Sequence, residues 1–410
     1  LFSLCLQAAT AQPLQRVAPE QVGMDSRKLM YADEAIETAI SNKDIPGAVL
    51  AVVRNGKMAY LKAYGNKRIY PNVEPMTANT IFDMASCSKS MSTAVCTMIL
   101  AERGKLRMLD PVSLYIPHFK NWESEDGKEK KVIRIADLMT HTSGLPPYAP
   151  VAELEKQYGS PNPDGLMEYI ATCKRDFKPQ TDFQYSCLNF ITLQHIIETI
   201  SGQSLRDFAR ENLFDVLGME HTDYLPCQRD KDGNWITIVD KGTRKQGHKE
   251  NSVANPQFSI RNSQLNNIAP TEKQPNGQVL CGQVHDPLAR VMNGGISGNA
   301  GVFSCADDIA MFFFQHCEGF LQDFAVCFQN ILEFFCMHVV KCRNTSGTCQ
   351  CVAAQCEQMG RSRQAVHDFF SSHESAQCQT SADRFAQDDA VRYDVVMFDT
   401  IHFTSAVECL

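Results

Sequence analysis

No stretch of the sequence reaches the roughly 18 uninterrupted apolar residues of a membrane-crossing helix, so no transmembrane segment is expected. Positive charge is in short supply. The 39 Lys and Arg are outnumbered by 47 Asp and Glu, and a net charge of -8 argues against general affinity for nucleic acid or anionic membranes. Internal repeats are absent, and Trp occurs only at Trp122 and Trp235. The sharpest scarcities fall at one end. The last 98 residues contain none of the 18 Pro, neither Trp and one Lys, yet hold 12 of the 23 Phe and nine of the 17 Cys. This break near Phe312–Phe314 implies a different origin for the tail: a fused segment, a rearrangement or a shifted coding frame. Residues 20–312 are therefore read as one domain and 313–410 as an atypical Cys- and Phe-rich tail.

What is present suits a large folded domain. With 44% hydrophobic and 21% charged residues the chain can bury a substantial core, which excludes disorder as its main state. The opening Leu1-Phe2-Ser3-Leu4-Cys5-Leu6 runs into Ala9-Thr10-Ala11, an apolar run ending in an A-x-A site. Residues 1–11 thus read as the remnant of a secretory signal peptide, and a periplasmic or secreted location is expected. Export would permit disulfides, but their pairing does not follow from spacing. No cysteine set has strong zinc-site spacing, and Cys349, Cys351 and Cys356 lie in the tail, so no metal site is assigned.

Local patterns place the elements. Leu29, Ala32, Ile36 and Ile40 recur at helical spacing and predict an amphipathic helix over residues 25–41, stopped by Pro46-Gly47. Ala48–Arg54 and Lys57–Tyr64 read as strands joined by Asn55-Gly56, a strong hairpin signal. A short extended piece, Thr80–Met84, leads into Ser86 and a helix ending near Arg103 before Gly104. From about 105 to 300 the pattern is helical and loop-rich, with helix starts at Ser204 and Ser304 and a polar excursion over 225–282. The chain leaves a sheet here and is expected to rejoin it through strands in the C-terminal part. Only Tyr393–Phe398 in the tail reads as a strand, so the hairpin is expected to keep an open edge and the chain to be poorly folded beyond about residue 312.

Three segments carry candidate chemistry. In Ser86-Cys87-Ser88-Lys89 the hydroxyl stands at the positive end of a helix, and Lys89 at i+3 returns to the same face within its reach. A partly desolvated, neutral lysine could take the serine proton and make Ser86 a nucleophile, with the Ser86 N–H as half of an oxyanion hole. Tyr185-Ser186-Cys187 offers a phenol able to act as general base or acid beside such a pair, although spacing alone favours a half-buried core tyrosine before the helix Leu188–Ile200. His141, within Met139-Thr140-His141-Thr142-Ser143-Gly144-Leu145-Pro146, reads as a structural residue where a helix turns sharply into a loop.

Ser86-x-x-Lys89, the LMTHTSGLP stretch, Tyr185-Ser186 and Gly298-Asn299-Ala300-Gly301-Val302-Phe303-Ser304 occur in an order that resembles the serine β-lactamase-related family over about residues 20–312. That family includes class C β-lactamases, D-Ala-D-Ala carboxypeptidases, D-aminopeptidases and esterases. The resemblance implies an α/β (α+β) three-layer sandwich, helices around an antiparallel sheet, with an additional helical region. It further implies Ser86 as acyl-forming nucleophile, Lys89 as its activator, Tyr185 as proton shuttle, and no metal or cofactor. A peptide-like or small-molecule substrate and a monomeric state are expected.

Two departures stand out. Cys187 occupies the place where the family often carries a substrate-contacting Asn, which weakens a β-lactamase assignment and tilts the expectation toward peptidase or esterase chemistry. The family's later Lys/His-x-Gly motif, which supplies the second oxyanion N–H, has no counterpart. The tail glycines at 319, 347 and 360 are preceded two positions earlier by Cys317, Thr345 and Gln358. The leading expectation is an exported serine hydrolase acting on an amide, β-lactam or ester. The alternative is an inactive fragment or pseudoenzyme, and a cell-wall binding module ranks third.

Overall fold

The computed structural model describes residues 13–238, 264–318 and 394–399. β1 (Gln15–Arg16) precedes α1 (Ser26–Ser41), and β2 (Gly47–Arg54) and β3 (Lys57–Arg68) form the expected hairpin. At its turn Asn55 and Gly56 have φ of 51° and 69°, the left-handed pair that a tight two-residue hairpin requires. β4 (Glu74–Pro75) pairs with β3, and β5 (Phe82–Asp83) runs toward Ser86. The chain is helical from Cys87, takes the wider π form over Lys89–Ala94 and continues as α2 (Val95–Glu102).

A small hairpin, β6 (Trp122–Glu123) and β7 (Lys130–Lys131), opens the helical region. This contains α3 (Ile135–Met139), α4 (Val151–Tyr158), α5 (Pro163–Thr172), α6 (Cys187–Ser201) and α7 (Leu205–Ala209). Ser186 and Ser204 cap α6 and α7 by accepting from the N–H of Leu188 and Asp207, the role that serine favours at a helix start. β8 (Asp223–Tyr224) is followed by a short hairpin, β9 (Cys227–Arg229) and β10 (Trp235–Thr237), within the segment expected to be an excursion. β11 (Val302–Ser304) lies between β5 and β8 in a three-stranded antiparallel sheet. α8 (Ala306–Glu318) and β12 (Asp394–Asp399) complete the described chain.

β2 shows why the architecture has layers. Strand residues alternate between faces, and here both faces are covered. Val49, Ala51 and Val53 join the main core with α2, α6 and the Ala306, Ile309 and Phe312 side chains of α8. Ala48, Leu50 and Val52 pack with Leu29 and Ile36 of α1. The main sheet therefore lies between α1 and the helical body, as a three-layer arrangement demands.

β12 pairs antiparallel with β2, from Asp394 opposite Val53 to Asp399 opposite Ala48. The tail strand expected at Tyr393–Phe398 is thus found, and it covers the β2 edge expected to stay open. α8 also continues past the composition break near residue 312. The remaining expectation, a chain poorly folded further on, concerns positions outside the described residues.

One polar cluster fastens α1 to the sheet. The Asp33 carboxylate accepts from Tyr60 Oη at 2.6 Å, Tyr64 Oη at 2.5 Å and Lys62 Nζ at 2.7 Å. Burial raises the cost of its charge, but these three donors outweigh it and hold its pKa below the ordinary carboxylate value. A carboxylate with a depressed folded-state pKa contributes stability above its unfolded pKa, and that contribution is lost as pH falls through the folded value. Asp33→Asn is expected to lower unfolding free energy at neutral pH by about 1–3 kcal/mol. Urea titrations should show the gap from the parent protein closing below about pH 4; an equal gap at all pH values would remove Asp33 from this role.

Candidate active site

The site begins with a strained turn. Ala85 has φ of 44°, a left-handed value uncommon for a residue with a Cβ and worth about 1–3 kcal/mol of strain. It is held there by Asp83 Oδ1, which accepts from the Ala85 N–H at 2.8 Å, while Met84 N donates to Val302 O at 2.9 Å. The chain then turns into the helix, leaving the half-buried Ser86 at its mouth.

Lys89 is completely buried, and its Nζ donates to Ser86 Oγ at 3.0 Å and to Asn299 O at 2.8 Å. The same Nζ lies 4.8 Å from the centroid of the Tyr185 ring. Ser86 and Lys89 are both within hydrogen-bonding influence of the Tyr185 phenol. The structure therefore gathers Ser86, Lys89 and Tyr185 at one place. Helical return carries Lys89 to Ser86, and the turn before α6 brings Tyr185 across to them.

Electrostatics couples the cluster. Burial opposes the Lys89 charge, but negative charge on Cys187, Tyr185 or Asp286 favours it, and the ammonium pKa stands above its ordinary value. Lys89 holds its proton the more firmly the more its neighbours release theirs. Burial raises the Tyr185 pKa although Lys89 and the hydrogen bonds from Lys89 and Ser86 pull it down, so the phenol keeps its proton. A cation bonded to Ser86 Oγ can stabilise a developing alkoxide, and an adjacent phenol can relay the proton.

Cys187 is 8% exposed at the first position of α6, with its thiol against Lys89 and the Asn299 side chain. Burial raises its pKa against the pull of Lys89, so it remains a thiol, the weakly nucleophilic form. His141 forms the wall behind Tyr185, with ring centroids 4.6 Å apart. Its Nδ1 accepts from Ser186 N at 3.1 Å and faces Asn189 Nδ2 at 3.0 Å, which places the ring proton on Nε2. Burial first, and then the Lys89 charge, lower its pKa to about 3.

Sequence reasoning missed the residues behind this cluster. Asp83 was read only as part of an extended piece, and Asp286 and Tyr148 gave no signal. Each acts through partners far away in the chain, such as His285 N donating to Asp83 Oδ2 at 2.7 Å. Among the described residues, His221, Cys305 and Asp308 bring ligand-type atoms within 4.8 Å of one another. Asp308 Oδ2 there already accepts from His221 N and Thr222 Oγ1, both at 2.7 Å, and so ties α8 to the strand entry.

The described site is thus a helix-mouth serine bonded to a buried lysine beside a phenol, set between the helical body and the small β5–β11–β8 sheet. The chain belongs to the Beta-lactamase family, whose model matches residues 32–325. An N-acetylmuramyl-L-alanine amidase from Bacillus subtilis (strain 168) is 31% identical over 300 residues, covering 71% of this chain and 63% of the relative. A putative D-alanyl-D-alanine carboxypeptidase from Salmonella agona (strain SL483) is 30% identical over 318 residues, covering 76% and 69%. The chain thus spans just under two thirds of the amidase's length. A class C beta lactamase structure matches with a TM-score of 0.50 at 22% identity, covering 70% of this chain and 64% of that one, which supports the shared fold. Among the described residues no helix is long and apolar enough to cross a membrane.

The His141 pKa gives a pH-dependent test of the wall. With its folded pKa depressed, the unfolded state binds the extra proton first, so this stability is complete above about pH 6.5 and is lost as pH falls toward the folded value. The stability difference between the parent and His141→Gln should shrink by about 1.4 kcal/mol per pH unit below about pH 6.5. Guanidinium unfolding compared at several pH values measures it; a pH-independent difference would show that His141 is not held neutral.

Proposed function

We propose that the chain is a serine hydrolase that forms an acyl-enzyme on Ser86. The observation that carries this reading is the 3.0 Å bond from the buried Lys89 Nζ to Ser86 Oγ. Ser86 Oγ attacks the substrate carbonyl carbon, and its proton passes through Tyr185 to the leaving amine or alcohol. The carbonyl–leaving-group bond breaks, leaving an ester on Ser86. Water then adds to that ester, regenerating the hydroxyl and releasing a carboxylic acid. Lys89 supplies positive charge at the serine oxygen throughout.

The amidase and carboxypeptidase names of the relatives support an amide substrate. Cys187 supports the same tilt away from β-lactams, since a thiol is a poor substitute for a two-donor amide. The apolar run and Ala9-Thr10-Ala11 support an extracytoplasmic location, and a monomer is the working state of this reading. A second reading, a chain that keeps the pocket without turning over, is favoured by the tail's lack of a Lys/His-x-Gly segment. Loss of one oxyanion donor typically raises a barrier by about 2.7–4 kcal/mol.

Intact-mass analysis after treatment with a fluorophosphonate should show one adduct. Ser86→Ala should abolish it and Cys187→Ala should leave it largely intact. Inactivation by iodoacetamide, with the adduct surviving in Ser86→Ala, would overturn the serine assignment. Adduct formation without turnover of a simple ester or a D-Ala-D-Ala peptide would select the second reading.

A further inference from the structure

The polar groups behind the cleft converge on one carboxylate. Asp286 Oδ1 accepts from Asn299 Nδ2 at 3.1 Å and from Ala289 N at 2.8 Å, while Oδ2 accepts from Tyr148 Oη at 3.1 Å. Tyr148 Oη in turn accepts from Leu288 N at 2.9 Å. Asn299 is the residue whose backbone carbonyl receives Lys89 Nζ, and its side-chain oxygen accepts from Ser297 Oγ at 2.6 Å. Next to Asp286, His285 N donates to Asp83 Oδ2, and Asp83 Oδ1 holds the Ala85 turn that presents Ser86. A closed path thus runs from Ser86 through Lys89, Asn299 and Asp286, along the chain to His285, and through Asp83 back to the Ser86 turn.

We propose that Asp286 is a positioning residue for the Ser86 centre: it orients Asn299 so that its carbonyl fixes Lys89 Nζ on Ser86 Oγ. The proposal rests on the Ser86 reading above. Three features support it. The carboxylate spends both oxygens on Asn299 Nδ2, Ala289 N and Tyr148 Oη. Its field reaches Lys89, Cys187 and Tyr148. It also reaches Asp83, which is pushed up by burial and by Asp286 itself while its backbone donors pull it down. Other charged or titratable groups facing this region are Tyr185 and Cys187 against Lys89, His141 behind them, and Arg290 on the far side of Asp286. Arg290 is occupied by the carbonyls of Val284 and His285, at 2.6 and 2.5 Å, so it does not discharge Asp286 through a direct bond in the described structure.

The test uses Asp286→Asn and Asp286→Glu in the full chain, with thermal unfolding to show that each variant folds. Fluorophosphonate labelling of Ser86, followed by intact mass between about pH 6 and 10, reads the rate and its pH profile. Asp286→Asn should slow labelling by roughly tenfold and displace the profile, because Asn299 loses its charged acceptor and no longer holds Lys89 Nζ on Ser86 Oγ. Asp286→Glu should return both toward the parent. A merely structural loosening would lower the unfolding temperature without displacing the pH profile, and would overturn the proposal. So would a folded Asp286→Asn that labels like the parent, or a folded Asp286→Glu that behaves like the Asn variant. If the parent gives no Ser86 adduct, the hydrolase reading fails, and a crystal structure of Asp286→Asn then decides the positioning role: Asn299 O drawn away from Lys89 Nζ supports it, and an unchanged contact overturns it.

Discussion

A buried lysine organises this molecule. Lys89 has no exposure, and a charge in that position is costly unless every proton finds an acceptor. Two of its contacts are fixed, at Ser86 Oγ and Asn299 O, and the face of Tyr185 lies beside it. Meeting that demand requires three distant segments to converge: the helical turn from Ser86 to Lys89 that leads toward α2, the turn before α6, and the loop before β11. The third approaches so closely that a Cβ on Gly298 would lie 2.0 Å from Phe190 O, so glycine is required for the loop to lie on α6. Thr93 Oγ1 donates to Gly298 O at 2.8 Å and Val302 N donates to Ser88 Oγ at 3.0 Å, which locks the loop to the helix on either side of Lys89.

The same convergence explains why the small β5–β11–β8 sheet exists beside the larger one. β5 delivers the Ser86 turn and β11 follows directly on the Asn299 loop, so pairing Phe303 with Asp83 fixes the two halves of the site in register. The large sheet has a different task. With β2 buried on both faces, it forms the floor on which α1 and the helical body are laid. Presentation of the Ser86 turn and bulk packing are thereby assigned to separate sheets joined through the helical core.

Local signals in the sequence were enough for the elements whose cause is local. Asn55-Gly56 announced the hairpin because only residues tolerant of positive φ make that turn, and Ser86 with Lys89 announced a pair because i+3 residues share a helix face. Ser204 announced a cap for the same kind of reason. What stayed hidden depends on separation in the chain. Asp83 meets His285 across 202 positions, and Asp286 has no neighbour in sequence that hints at Asn299 or Tyr148. The electrostatic surroundings of Lys89 stayed hidden for a related reason. Desolvation is foreseeable for a helix residue facing a core, whereas the groups that offset it come from other segments.

The tail separates two requirements that the family resemblance had joined. β2 needs a partner on its edge, and backbone pairing asks only for an extended segment in register; Asp394–Asp399 meets that need opposite Ala48–Val53. Completing an oxyanion hole asks for more, since donor N–H groups must stand about 2.7–3.1 Å from one substrate oxygen. The composition change after residue 312 therefore bears differently on fold and chemistry. A strand such as Val395-Val396-Met397-Phe398, rich in residues that suit strands, meets the first need by composition and register alone. The two requirements are therefore independent: the sheet edge is occupied by β12, while Ser86, Lys89 and Tyr185 are brought together entirely by residues that precede the composition break.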